Sequence, residues 1–238
     1  MGKVVTFSSL PYKDIGAGAK AAPITGKDGR EMQADILRLA PGAKLSDEVP
    51  RGSDRYFFTL SGEASIAGNG ATHTLRQDTF ATVQEAVQFT LTNTGNAEAE
   101  VLSVFAPPAG EKKAHAGFAG GIAVAHRSAP PVVSIPEQKK RRIFFVDKSA
   151  AASDRGHAMI VLYEPETVTK LHRHPNAESM FVVLTGKVRF TVNGQDVVIE
   201  RGQAAHFPAS DVHGLRGAEG DVSFLEFHIP AKFTTEYV

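Results

Sequence analysis

The segment LHRHPNAESMFVVLTG, residues 171–186, places His172 and His174 one residue apart, Glu178 four residues later, and then an apolar run that ends at Gly186. In an extended strand residues i and i+2 share a face, so both imidazoles point the same way while Arg173 points to the other side. Pro175 interrupts the ladder, and a bend at PNA lets Glu178 return on the imidazole side with an oxygen ligand. Downstream, HFPASDVHGL delivers His213 from a Pro-Ala-Ser-Asp turn into a further strand. Three imidazoles and a carboxylate form a nitrogen–oxygen donor set suited to one divalent transition metal, Fe(II), Mn, Ni, Co, Cu or Zn, and unsuited to Ca or Mg. An octahedral ion held this way keeps two positions open for a chelating substrate, or for substrate and dioxygen side by side. A lone H-x-H is commonly a surface accident, so the metal reading rests on the combination.

The elements that position these residues read as strands. Almost no segment holds a 3.6-residue apolar period for three turns, whereas ADILRLA, RYFFTL, MIVLYE, SMFVVL, KVRFTV and SFLEFHI recur between Gly, Pro, Asn and Asp clusters. The expected fold class is all-β. The chain of 238 residues has room for one large β domain or two small ones. Lys plus Arg and Asp plus Glu balance at 26 each, so no overall field recruits nucleic acid or an anionic membrane, and a small-molecule substrate is the expected partner. With no cysteine, disulfides, thiolate zinc sites and cysteine nucleophiles are excluded. Neither a secretory signal pattern nor an apolar run of membrane-spanning length stands out, which leads to the expectation of a soluble, cytoplasmic protein with no membrane partner.

The chain also repeats itself. FFTLSG at 57–62 aligns with FVVLTG at 181–186 under a shift of 124 residues. The same shift lays Asn69-Gly70 on Asn193-Gly194, Leu39 and Pro41 on Tyr163 and Pro165, and Val101 and Phe105 on Leu225 and Ile229, with no gap. Asn-Gly between alternating runs is the preferred type I′ hairpin turn. The expected division is an N-terminal barrel over 1–106, a Pro- and Gly-rich inter-domain segment over 107–136, and a C-terminal barrel over 137–238, with GIAVAH and PPVVSIP able to add edge strands to either. The basic run Lys139, Lys140, Arg141, Arg142 reads as a solvated linker face. Applied to the four expected ligands, the shift reaches Glu48, Pro50, Asp54 and Phe89, none a histidine, so the first copy is expected to be structural.

The segments HRHPNAESMFVVLTG and GQAAHFPASDVH resemble the two motifs of the cupin superfamily, and the duplication is similar to the bicupins. The resemblance implies two tandem double-stranded β-helix (jelly-roll) barrels, a metal in the C-terminal one held by His172, His174, Glu178 and His213, and, by family habit, a homodimer. Seven residues separate Glu178 from Gly186 where the motif has six, so either a bulge intervenes or the register moves by one and puts Ser179 at the carboxylate position.

Strand alternation nominates the surroundings. Met180 and Val182 share parity with Glu178 and, with Phe190 and Phe207, are the expected walls of a mostly apolar substrate pocket. In DVSFLEFHIP, Leu225, Phe227 and Ile229 take one face and Phe224, Glu226 and His228 the other. If the polar face meets the cavity, Glu226 or His228 can orient a ligand imidazole or relay a proton, and His206 is a further candidate. No nucleophile elbow, phosphate loop or dinucleotide fingerprint competes. The leading expectation, drawn from the resemblance, is a non-haem Fe(II) dioxygenase acting on a small oxygen-bearing molecule. A redox-neutral isomerase, decarboxylase or lyase is the alternative, and a non-catalytic small-molecule-binding barrel the third.

Overall fold

The computed structural model describes residues 1–108, 110, 115–148, 150–164 and 166–238. Pro165 and part of the 107–121 segment therefore lie outside the described residues. The first half contains β1 (Lys3–Thr6), β2 (Lys13–Gly16), β3 (Ala19–Pro23), β4 (Gln33–Leu39), β5 (Lys44–Glu48), β6 (Asp54–Ser61), β7 (Glu63–Gly68), β8 (Ala71–Arg76), β9 (Thr79–Val83), β10 (Gln88–Asn93) and β11 (Ala99–Ala106). The second contains β12 (Ile122–His126), β13 (Val132–Ile135), β14 (Lys140–Val146), β15 (His157–Tyr163), β16 (Val168–Arg173), β17 (Glu178–Val192), β18 (Gln195–Glu200), β19 (Gln203–Phe207), β20 (His213–Ile229) and β21 (Glu236–Tyr237). Among the described residues the only helical turns are three short 3-10 segments, and no helix is long and apolar enough to cross a membrane.

In the first half one sheet runs β12-β9-β6-β11-β4-β3-β2 and faces a second ordered β5-β10-β7-β8. The second half repeats both as β1-β19-β17-β20-β15-β14-β13 and β16-β20-β17-β18, fused because β17 and β20 each run through both faces. Their hairpins match: Asn69-Gly70 and Asn193-Gly194 carry φ of 51° and 76°, and 51° and 78°, as a type I′ turn requires. Gly62 and Gly186 sit at equivalent corners with φ of 76° and 69°. A Cβ would lie 2.8 Å from the Ala99 Cα at the first and 2.7 Å from the Asp221 carbonyl oxygen at the second, so only glycine fits.

The gap-free shift breaks in two places. Leu37 pairs with Val101, whereas its counterpart Val161 pairs with Phe224, so β11 and β20 are offset by one residue from the expected alignment. A bulge between Thr169 and His172 absorbs another residue. His172 faces His213 across the ladder where Asp47 faces Phe89, so its register counterpart is Asp47 and the Glu48 alignment is corrected by one.

The halves are interwoven. β1 pairs with β19 of the second half, and β12, in the GIAVAH segment, pairs with β9 of the first. The boundaries at 106 and 137 thus separate contiguous sequence, while each sheet borrows an edge strand across them. Strand alternation then divides the core into three. Leu37, Phe57, Ile66, Phe89 and Leu91 fill the first barrel. Val161, Phe181, Phe190, Phe207 and Phe224 line the second. Between them lies a shared core that includes Tyr56, Phe58, Phe80, Phe145, Met180, Val182, Leu225 and Phe227. Phe80 and Phe145 stack across it at 4.8 Å, and each fully buried side chain of this size removes apolar area worth about 1.5–3 kcal/mol.

Candidate metal centre

His172 and His174 stand at the end of β16, and His213 at the start of β20 faces them. One ring nitrogen from each lies within 4.8 Å of the others, and all three residues are buried. Every Nδ1 is committed to a backbone carbonyl: His172 to Lys170 at 2.8 Å, His174 to Thr234 at 2.9 Å, His213 to Asp211 at 3.0 Å. A carbonyl can only accept, so each Nδ1 carries the proton and each Nε2 a lone pair. The Nε2 atoms of His174 and His213 are buried without a hydrogen-bond partner. Two such orphaned acceptors would cost about 1–3 kcal/mol each unless something takes their lone pairs, and a divalent cation does. Burial lowers the pKa of His172, and lowers those of His174 to about 4 and His213 to about 3, so the imidazoles are neutral and ready to ligate at neutral pH. Phe207 stacks on His213 at 4.4 Å and fixes its plane.

Glu178, expected as the fourth ligand, stands apart from this group. Its carboxylate accepts hydrogen bonds from the backbone N–H groups of Arg30 (2.7 Å) and Met32 (3.2 Å), and His206 Nε2 lies 3.4 Å away. β17 enters with Glu178, Met180 and Val182 facing the shared core, so the register moves by one and Ser179 takes the inward position. The same parity removes Met180 and Val182 from the cavity wall and puts Phe181 there. Phe190 packs behind Phe181 at 5.2 Å, and His206 lies on the shared-core side with Glu178.

The cavity beside the imidazoles holds about 160 Å³ and is far more polar than expected. β15 contributes His157, Met159, Val161 and Tyr163, β20 contributes Glu226 and His228, and β14 contributes Lys140 and Arg142. The polar face of DVSFLEFHIP is therefore the one that meets the cavity. His228 Nε2 donates to Glu226 Oε1 at 2.7 Å, its Nδ1 lies 3.0 Å from Ser179 Oγ, and its ring sits 4.8 Å from that of His174. Burial alone would raise the Glu226 pKa, but the hydrogen bond from His228 and the charges of His228, Arg142 and Lys140 outweigh it and hold the carboxyl down at about 2. Burial pushes His157 down to about 4.

The basic run is corrected too. In β14 residues 140 and 142 point inward while Lys139 and Arg141 are exposed, and Lys140 is only 9% exposed. The C-terminal residues, which the sequence reading passed over, close one side: β21 pairs with β16, and Phe233, Thr235 and Tyr237 line the opening. Phe233 stacks on His228 at 4.1 Å. The alternation of Phe233, Thr235 and Tyr237 was the available signal, as was that of His157, Met159, Val161 and Tyr163.

Comparison with known proteins bears on the fold. No curated protein matches the chain by sequence. Among solved structures the chain is similar to protein Ylba from E. coli (14% identity, TM-score 0.78, 96% of this chain and 90% of that one). It is also similar to a protein of Pseudomonas aeruginosa described as glyoxylate-induced (18%, 0.78, 98% and 89%). A third is the oxalate decarboxylase of Lactobacillus farciminis in complex with formate (13%, 0.73, 99% and 88%). At these identities the likeness establishes the fold. The family model for the cupin domain matches residues 159–228, the stretch that carries all three imidazoles together with Glu226 and His228.

Proposed function

We propose that the second barrel is a metal-dependent, redox-neutral enzyme site acting on a small oxygen-bearing molecule by isomerisation, decarboxylation or elimination. The observation that carries this reading is the Glu226–His228 pair in the wall of the cavity, next to His174. A divalent ion at His172, His174 and His213 supplies Lewis acidity toward a bound carbonyl or carboxylate oxygen. The residues of the chain do the rest. Glu226, ionised at neutral pH, accepts a proton from the substrate or holds one for return. His228 fixes that carboxylate through Nε2 and is itself fixed through Nδ1 by Ser179. Phe181, Leu215 and Phe233 narrow the space and exclude water. The mostly apolar pocket expected from strand alternation is replaced by one with acid–base groups, which favours the redox-neutral alternative. That one protein with this fold is a decarboxylase is consistent with it.

The test is a panel of 2-oxo acids, 2-hydroxy acids and enols in D₂O with the Mn(II)-, Fe(II)- or Zn(II)-loaded protein, followed by NMR beside an oxygen electrode. Conversion or solvent deuterium incorporation without oxygen uptake is expected, and Glu226→Gln should slow it by about 10²–10⁴-fold while metal content is retained. Stoichiometric oxygen consumption that persists in Glu226→Gln would restore the dioxygenase reading.

A further inference from the structure

We propose that Lys140 and Arg142 form a carboxylate-binding subsite at the opposite end of the cavity from the three imidazoles, so that the substrate carries a metal-binding oxygen group at one end and a carboxylate at the other. The inference deepens the reading of the cavity as an enzyme site and rests on it.

Both side chains come from β14, and both line the cavity. Lys140 Nζ donates to Thr169 Oγ1 at 2.6 Å, which accounts for one of its three N–H bonds, and it lies 5.3 Å from the centre of the Tyr163 ring. Arg142 reaches Gln138 Oε1 with one terminal nitrogen at 3.4 Å, while its Nε is buried with no partner. A buried cationic donor without an acceptor is costly, and an anion in the cavity supplies the acceptor.

The alternative, that these cations merely neutralise Glu226, does not account for their placement. The side-chain partner of Glu226 is His228, at 2.7 Å, and among the described residues no Lys or Arg nitrogen comes within salt-bridge distance of it. The fixed side-chain charges facing the cavity are two cations against one carboxylate, so a further negative charge is accommodated before any metal is counted. Distance sets the ligand length. Thr169, which anchors Lys140, lies three residues from His172 along β16, and because the bulge absorbs one of them the separation is about 7 Å between Cα atoms. With side chains converging from both ends, a chain of two to four carbons bridges the gap. Tyr163, hydrogen-bonded to the same Thr169, closes the far wall.

The experiment is calorimetric titration of the metal-loaded protein with malonate, with malonamide as the neutral isostere. Malonate should bind at least tenfold more weakly to Arg142→Gln and to Lys140→Met than to the unsubstituted protein, malonamide should bind all three alike, and Arg142→Lys should recover most of the malonate affinity. Circular dichroism on each variant checks that the fold persists, and the comparison of Arg142→Lys with Arg142→Gln carries the test if Lys140→Met proves unstable. Equal malonate affinity across the set, or no malonate binding to any of them, overturns the subsite. Titration of the metal-free protein separates the two readings: malonate binding there that still depends on Arg142, with no metal uptake, upholds the subsite and overturns the metal site.

Discussion

The two barrels share strand order, hairpins and corner glycines, yet one interior is filled and the other is hollow. Where the second half places Ser179 facing His228, the first places Arg55. The Arg55 guanidinium donates to Asp47 at 2.6 Å and to Ser103 at 3.1 Å, and packs over Phe89 and Phe105 at 5.2 and 4.3 Å. By register, Asp47, Phe89, Phe105 and Ser103 are the counterparts of His172, His213, His228 and Glu226. A tethered cation occupies the place where the second half offers lone pairs to a free one. The comparison teaches that at equivalent positions the first half fills its interior with a tethered cation, whereas the second leaves three imidazoles that could hold one and a polar wall around open space.

The largest expected effect is at the imidazoles. His213→Ala or His174→Ala should reduce metal from one ion per chain to none by elemental analysis, whereas Arg55→Ala should leave it unchanged. Undiminished metal in His174→Ala would break the assignment.

A second pair sharpens the comparison at the interface. Asp54 and Glu178 are equivalent first residues of β6 and β17, and each reaches into the opposite half. Asp54 takes Arg155 Nη1 at 3.0 Å, Ser153 Oγ at 2.6 Å and the Phe118 N–H at 3.0 Å, while Glu178 takes the Arg30 and Met32 amides. Asp54→Ala removes these three hydrogen bonds, one of them from the buried Arg155 guanidinium, whose remaining carboxylate partner is Glu85 at 3.1 Å, and should cost about 3 kcal/mol in denaturant unfolding. Glu178→Ala strands two backbone amides and the buried His206 imidazole and should cost about 1–3 kcal/mol, with metal content intact. Loss of metal in Glu178→Ala would return the carboxylate to the ligand set.

The smallest effect is in pH. The sequence alone, with free histidine near 6.5, predicts that metal is lost below about pH 6. Burial lowers the folded pKa values of His174 to about 4 and His213 to about 3, so the unfolded chain binds more protons than the folded one below about 6.5. Stability is then complete above that value and falls as pH drops toward 4, while the folded site keeps its metal below pH 5. Metal titration in acetate buffers checks this, and half-loss near pH 6 would show that the imidazoles are more solvated than the structure has them.

The all-β class, the duplication and the three imidazoles were legible in the sequence because period-two alternation, Asn-Gly turns and H-x-H spacing are local signals. The orientation of β17 was not. A one-residue change of register exchanges the two faces of a strand, which moved Glu178, Met180 and Val182 to the shared core and brought Ser179 and Phe181 inward. Lys140 and Arg142 were misread for a related reason: four consecutive basic residues look like a solvated run unless the strand that alternates them is known. The pocket of the second barrel is assembled from β14, β15, β16, β17, β20 and the C-terminal residues, which no spacing connects.

The exchange of β1 and β12 bears on whether either half can stand alone. A repeat without imidazoles at the equivalent positions looks dispensable to the site in the other repeat. Here the loss would strip β19 of the strand along its edge, remove the two amides that hold Glu178, and expose the stacked rings of the shared core to water. The copy without imidazoles is the other copy's missing wall, so a truncated second half is not expected to fold on its own.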